Sequence, residues 1–364
     1  MNKKTGWIIL GILVIVIAAV MLGNIRNKTY KNTIVIDVGQ TGSYSPYGEM
    51  VVKAAQLAQK DLAMSGQKIN LIISDNKSDA KSALSAYQAV KGVQFVISGS
   101  SGVVLALAPV LEKDKVLLFN VTALSPAIRE AGDYVFSNIN DSTVEVAAMA
   151  AYMYKSGVKK AATFIQNDDA GVTANKIFKD EFTKLGGIVV DEESFDVGAM
   201  DMKTQISRLK NAKPDAVYAP AYPQSLSIIL RQAENLTFLT KWFSWNIESK
   251  EILDLGKIAE RITYSSTVFN PSKGNQVVKD FSDRFTANFG VVPPVYAATS
   301  YDAVMLAAEA FKQGLQSGTD IKNFLYGVKN WQGVSGVTNF DSDGMSIKPI
   351  EIKTIKDGQY VTIQ

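Results

Sequence analysis

Short β-branched runs alternate with longer stretches of helical periodicity, a pattern that predicts an α/β fold built on parallel sheets. The alternation comes in two series of about equal length, which predicts two doubly wound, Rossmann-like lobes. Several loops that follow strands are rich in Gly, Ser, Thr and Tyr, and in such folds ligands bind beyond the carboxyl ends of the strands.

The first strand is Thr33 to Asp37. The next segment sets Val51, Ala54, Ala55, Ala58 and Leu62 on one helical face before Gly66 stops it. Strand and helix then alternate through Ile69 to Ser74, Ala80 to Val90, Gln94 to Ser98, Val103 to Glu112 and Val116 to Phe119. The second series follows Asn140-Asp141-Ser142: helix Thr143 to Tyr154, strand Ala161 to Ile165, helix Val172 to Leu185, strand Ile188 to Phe195, helix Met202 to Leu209, strand Ala216 to Ala219 and helix Gln224 to Glu234. A short strand flanked by Trp242 and Trp245 and another over Ile262 to Val268 lead to long helices, Val277 to Phe289 and Tyr296 to Gln316. The tail, Gly336 to Gln364, reads as short strands joined by Asp341-Ser-Asp-Gly344 and Lys356-Asp-Gly358 turns.

The 364 residues, 47% hydrophobic and 20% charged, suit two domains that each bury a core. There is no Cys and no His, so disulfides, Cys nucleophiles, Cys/His zinc sites and imidazole catalysis are all excluded. An enzyme would have to work through carboxylates, Lys, hydroxyls or Tyr. Of the net charge of +3, residues 1–31 supply +5 through Lys3, Lys4, Arg26, Lys28 and Lys31, which leaves residues 32–364 at −2. That body offers no basic face to a nucleic acid.

Residues 5–25 are uncharged, with an apolar centre from Trp7 to Leu22. At about 1.5 Å per residue they reach roughly 31 Å, enough to span a hydrocarbon core. The segment is either an uncleaved membrane anchor or a cleaved signal, and the weak small-residue site around Ala18 to Gly23 favours the anchor. Both readings export the body, with Gly23 to Asn32 as a tether.

Gly39-Gln-Thr-Gly-Ser-Tyr-Ser-Pro-Tyr-Gly48, Ser74-Asp-Asn-Lys-Ser-Asp79, Ser98-Gly-Ser-Ser-Gly102, Asn120 to Pro126, Gln166-Asn-Asp-Asp-Ala-Gly171, Ala212-Lys-Pro-Asp-Ala216 and Gly336-Val-Thr-Asn-Phe-Asp341 occur in that order. In order and spacing they resemble the bacterial type I periplasmic binding proteins, and in particular the leucine/isoleucine/valine-binding proteins of ABC importers. The resemblance covers residues 33–364. It implies two lobes joined by three crossovers, near Asn140-Asp141, Thr267-Val268 and Val337-Thr338. Lobe one is then 33–140 with 268–336, and lobe two 141–267 with 337–364. It also implies hinge closure on a small solute, a membrane permease as partner, and no cofactor.

Ser98 to Gly102 stands between a strand and a helix, where backbone N–H groups and the Ser100 and Ser101 hydroxyls form a carboxylate seat. One serine acting merely as a helix cap is the plainer reading; in the resembling proteins this loop holds the ligand carboxylate. The Thr122-Ala123-Leu124-Ser125 loop comes next, with Leu124 aligned to a hydroxyl residue of the family and Thr122 or Ser125 as substitutes. Across the cleft Ala170 replaces a family aromatic, and Trp245 is a candidate to fill its space, whereas Trp242 reads as core. Asn246 aligns with the family's acidic partner for an α-ammonium; Glu248, Asp141, Asp168 and Asp169 are other sources of negative charge, and Asp141 reads equally as a helix cap. Tyr44, Tyr47 and Tyr222 are candidate aromatic walls, the last aligned with a ligand-stacking tyrosine.

The function expected is therefore an extracytoplasmic solute-binding protein that takes a small amino acid, amide or carboxylate. A ligand-sensing ectodomain reporting to a partner receptor is an alternative. A hydrolase built on Asp168, Asp169 and Glu248 is another, disfavoured because adjacent aspartates do not flank a scissile bond at the roughly 5–9.5 Å required.

Overall fold

The computed structural model of the chain describes residues 30–269 and 274–364. The Thr5 to Ile25 segment, expected as anchor or signal, lies outside them; no helix among the described residues is long and apolar enough to cross a membrane.

The first lobe opens with β1 (Thr33–Val38), α1 (Ser45–Met64), β2 (Asn70–Asp75), α2 (Ala80–Ala89), β3 (Phe95–Ser98), α3 (Ser101–Asp114), β4 (Leu117–Asn120) and β5 (Val135–Ser137). Its strands form a five-stranded sheet in the order β2-β1-β3-β4-β5, paired in parallel throughout. Period-2 alternation divides its side chains between two layers. Ile34, Ile36, Phe95, Ile97, Leu117 and Phe119 pack under α1 and the later helices, while Val35, Val96, Leu118 and Val135 face α2 and α3. β5 was not anticipated, because three residues carry no periodic signal.

The second lobe holds α4 (Ser142–Lys155), β6 (Lys160–Gln166), α5 (Asp169–Lys184), β7 (Ile188–Phe195), α6 (Lys203–Asn211), β8 (Ala216–Tyr218), α7 (Pro223–Asn235), β9 (Lys241–Trp245), α8 (Lys250–Leu253) and β10 (Ile262–Thr267). The chain then returns to lobe one for α9 (Gln276–Phe289), α10 (Val295–Lys312), α11 (Gly318–Tyr326), β11 (Trp331–Gly333) and β12 (Gly336–Thr338), and ends with the hairpin β13 (Ile350–Lys356) and β14 (Gln359–Thr362). The hairpin completes a seven-stranded sheet, β14-β13-β10-β9-β8-β6-β7, in which only the β10-β13 and β13-β14 pairs are antiparallel. Its turn residues Asp357 and Gly358 both have positive φ, as a two-residue hairpin demands. The long helix expected to reach Gln316 stops at Lys312, where Gly314 takes a φ of 83°; a second helix, α11, follows.

Three crossovers join the lobes, and Asn140 ties them together. Its side-chain amide donates to Thr267 Oγ1 (3.2 Å) and Lys348 O (2.9 Å), and its Oδ1 accepts Lys348 N–H (2.8 Å). Val268 N–H donates to Pro349 O at 2.8 Å. The third crossing lies near residues 347–349 rather than at Val337-Thr338. Phe340 packs edge-on against Phe119 and Phe136 of lobe one, and Ser137 N–H and O hydrogen-bond to Gly344 O and Ser346 N–H. Apolar burial thus holds this stretch on the first lobe, past the point that strand spacing suggested.

Candidate functional site

The strand-to-helix loops of both lobes meet at one cleft. Two adjoining cavities lie there, an inner one of about 20 Å³ and an outer one of about 200 Å³, and Tyr222 lines both.

The outer cavity gathers the first residues of several helices. Asp79 caps α2 through Ser82 N–H, and Asp168 caps α5 through Gly171 N–H, so each of these N-termini already meets a carboxylate. α3 differs. Its cap residue, Ser100, has a φ of 62° and makes no side-chain cap bond, and the helix starts at Ser101, two residues earlier than expected. The first-turn N–H groups of an α-helix have no intrahelical partner, so this terminus presents donors and a positive partial charge to the cavity. Thr122 Oγ1 accepts Ser100 N–H at 3.2 Å. Gly99 makes that approach possible, since a Cβ there would lie 2.0 Å from Thr122 Oγ1. Ser101 Oγ accepts Ser125 N–H at 3.2 Å, which leaves its own proton free to donate.

Tyrosines wall the cleft. Tyr44 and Tyr47 stand at the start of α1, where Pro46 opens the helix and Gly48 lets it press on the preceding loop, a Cβ there falling 2.0 Å from Gly39 O. Their rings meet the Tyr222 ring from the other lobe at centroid distances of 4.9 and 5.4 Å. Tyr296, 4.8 Å from Tyr47, extends the wall; it was read only as part of a long helix, although Pro293-Pro294 before it mark a helix start.

The inner cavity is lined by Tyr47, Thr122, Leu124, Ile139, Tyr222, Trp245, Asn246, Val295 and Tyr296. Leu124, where the family pattern has a hydroxyl, thus supplies an apolar surface. Ala123 is buried and its N–H and C=O are both held by the Asn120 side chain. Trp245 and Ala170 share one core cluster, and Trp242 is buried in another.

The acidic candidates separate. Asp169 and Asp168 line the outer cavity. Asp141 caps α4 through Thr143 N–H and pairs with Arg129 at 3.4 Å. Glu248 lines neither cavity, because Lys353 Nζ at 2.6 Å and the Tyr264 hydroxyl at 2.9 Å hold it. The three carboxylates of the hydrolase alternative are therefore not gathered in one cavity.

Asn246 follows β9 directly with a φ of 40°, a conformation Asn tolerates, and its Nδ2 donates to Glu145 Oε2 at 2.7 Å. Glu145 is fully buried, and burial pushes its carboxyl up to about 8. Sequence reasoning missed it. The signal was a carboxylate on the inward stripe of α4 beside Val146, Met149, Ala150 and Met153.

Residues 34–359 match the family model described as periplasmic binding protein. The chain belongs to that family. A relative from Brucella melitensis, "Leu/Ile/Val-binding protein homolog 1", is 26% identical over 350 residues, 90% of this chain and 92% of the relative. Among solved structures, the leucine binding protein LivK of Thermotoga maritima is similar with a TM-score of 0.85 at 26% identity, covering 91% of this chain and 97% of its own. The branched-chain amino acid transporter substrate binding protein LivJ of Streptococcus pneumoniae, solved with isoleucine, has a TM-score of 0.84 at 24% identity and covers 92% and 99%. This periplasmic binding protein is thus of type I and like the leucine/isoleucine/valine-binding proteins. The family is one of extracytoplasmic solute-binding proteins, not of enzymes.

Proposed function

We propose that the chain is the solute-binding subunit of an ABC importer and captures a small carboxylate-bearing solute, an amino acid or a related acid or amide, by closure of its two lobes. The observation that carries the ligand class is the α3 N-terminus, which opens on the cleft with unpaired backbone donors and the Ser101 hydroxyl while its neighbours α2 and α5 are capped by their own aspartates. The apolar inner cavity, walled by Leu124, Ile139, Trp245 and Val295, supports a solute with a hydrocarbon or aromatic body. The relatives named above carry leucine or branched-chain amino acids in their names, and this supports the same size class.

The remaining question is what the solute carries beyond its carboxylate. Asn246 supplies no countercharge of its own, so the polar end of the ligand meets an amide. The test is mass spectrometry of small molecules released on denaturing the purified protein, followed by calorimetry with the compound found. The expected result is one small acid, amino acid or amide that binds with a stoichiometry of one. Recovery of a sugar or a cation as the tight ligand would overturn the reading.

A further inference from the structure

Behind the cleft wall stands a polar pair that hinge closure and carboxylate capture do not use. Glu145 projects from α4 toward the end of β9, where Asn246 Nδ2 lies 2.7 Å from its Oε2, and toward β10, where Thr267 Oγ1 lies 3.3 Å from its Oε1. No cation lies within salt-bridge reach of it among the described residues. The titratable groups that act on it are Asp141, at the start of its own helix, and the buried Tyr218 hydroxyl on β8. β9 and β10 face it with Asn246 and Thr267, which do not titrate, and α5 and β13 contribute Ala170, Ala174, Phe178 and Ile352 to the surrounding core. Asn246 lines the inner cavity, yet its Oδ1 is buried and has no hydrogen-bond partner.

A primary amide has an acceptor at one corner and donors at the other, and half a turn about its terminal bond exchanges them without changing its volume. The neighbour's protonation state decides which corner it holds. An ionised carboxylate only accepts, so it binds Nδ2 and turns Oδ1 toward the cavity. A protonated carboxyl donates its Oε2–H to Oδ1 and turns the NH2 group outward; ionisation returns that proton to solvent and reverses the amide.

From this juxtaposition we propose that Glu145 is a positioning residue that sets ligand polarity through Asn246: ionised, it favours solutes with an N–H or ammonium donor, and protonated, it favours solutes with an acceptor at that end. This deepens the solute-binding reading and rests on it. A carboxylate one layer behind the cleft wall thus governs recognition at a neutral contact. Burial places the change of state near pH 8, so both orientations are reached under mild conditions.

Two arms test the proposal. The first needs no ligand: the Glu145 side-chain carboxyl ¹³C and the Asn246 side-chain amide are followed by NMR from pH 5 to 10, assigned by their loss in Glu145→Gln and Asn246→Ala. The Asn246 signals should move with the same midpoint as Glu145, above pH 7. An ordinary carboxylate midpoint for Glu145, or an Asn246 amide indifferent to it, overturns the proposal. The second arm uses L-leucine and 4-methylpentanoate, which differ by the α-ammonium alone, titrated by calorimetry at pH 6 and pH 9. The ratio of leucine to 4-methylpentanoate affinity should rise about tenfold or more with pH and lose that pH dependence in Glu145→Gln, whereas a merely structural Glu145 would change both affinities alike. An equal pH dependence in the variant also overturns the proposal. If neither compound binds at either pH, the solute does not have leucine's shape, and the NMR arm alone decides the role of Glu145.

Discussion

Tyr44 of lobe one donates its hydroxyl proton to Asp168 of lobe two, with 3.2 Å between Oη and Oδ2. Asp168 is fixed by its own lobe, where Gly171 N–H and Gln166 Nε2 donate to it at 2.8 and 2.6 Å. The bond joins the two lobes, so under the closure proposed above it would add to the closed state alone.

Tyr44→Phe keeps the ring packing on Tyr222 and removes this bond. A net contribution of about 0.5–1.5 kcal/mol predicts a loss of solute affinity of roughly 2- to 13-fold. Calorimetry with the co-purifying solute measures it, and unchanged affinity would show that water replaces the bond at no cost.

Asn140→Ala removes three buried hydrogen bonds that join the three crossovers. Stability should fall by roughly 1.5–4 kcal/mol, read from urea denaturation. A change below about 0.5 kcal/mol, the level of an ordinary surface substitution, would mean that the crossovers are not held through this side chain.

Two serines at one helix start should behave differently. Ser101→Ala strips a donor from the carboxylate seat and leaves Ser125 N–H without its acceptor, so affinity for an acid should drop by roughly 10- to 150-fold, with some loss of stability. Ser100→Gly keeps every backbone donor and suits the φ of 62°, so affinity should hold and stability should not fall. Equal losses in the two variants would move the seat away from Ser101.

Glu145 also marks the pH profile of stability. Its carboxyl is raised from 4.5 to about 8 by burial, so between those values the folded protein keeps a proton that the unfolded chain has released. The unfolded state binds fewer protons there, and stability falls as pH rises through the window and is flat for this group outside it. At about 1.4 kcal/mol per pH unit the full effect has an upper limit of roughly 5 kcal/mol. Glu145→Gln should therefore gain stability over the parent from pH 5 to 8.5 in denaturant titrations. A constant difference across that range would place the ionisation of Glu145 elsewhere.

Much of the molecule was legible in its sequence because period-2 and period-3.6 patterns report burial directly. β7 falls on the residues expected, and the apolar face of α1 is the one read from Val51 to Leu62. Helix starts were read late where polar residues open them: α3 begins on Ser101 and α5 on Asp169, because caps rather than apolar spacing fix those ends. The third crossover was misplaced because nothing in a stretch of short strands shows that Phe340 is buried between Phe119 and Phe136. In the cleft, Tyr44, Tyr47, Thr122, Leu124, Tyr222 and Asn246 do line cavities, whereas Glu248 was spent on Lys353, a partner 105 positions away. Glu145 escaped for the same reason, since its significance comes from Asn246, 101 positions distant.

Closure of the two lobes on a solute is the claim on which the rest depends, and the absence of cysteine makes it directly measurable. Lys81→Cys on α2 and Lys176→Cys on α5 are exposed positions on opposite lobes, and spin labels there report the interlobe distance by pulsed electron resonance. With the solute that co-purifies, the distance distribution should collapse from a broad or double one to a single short population. A distribution that is the same with and without saturating solute would contradict the account.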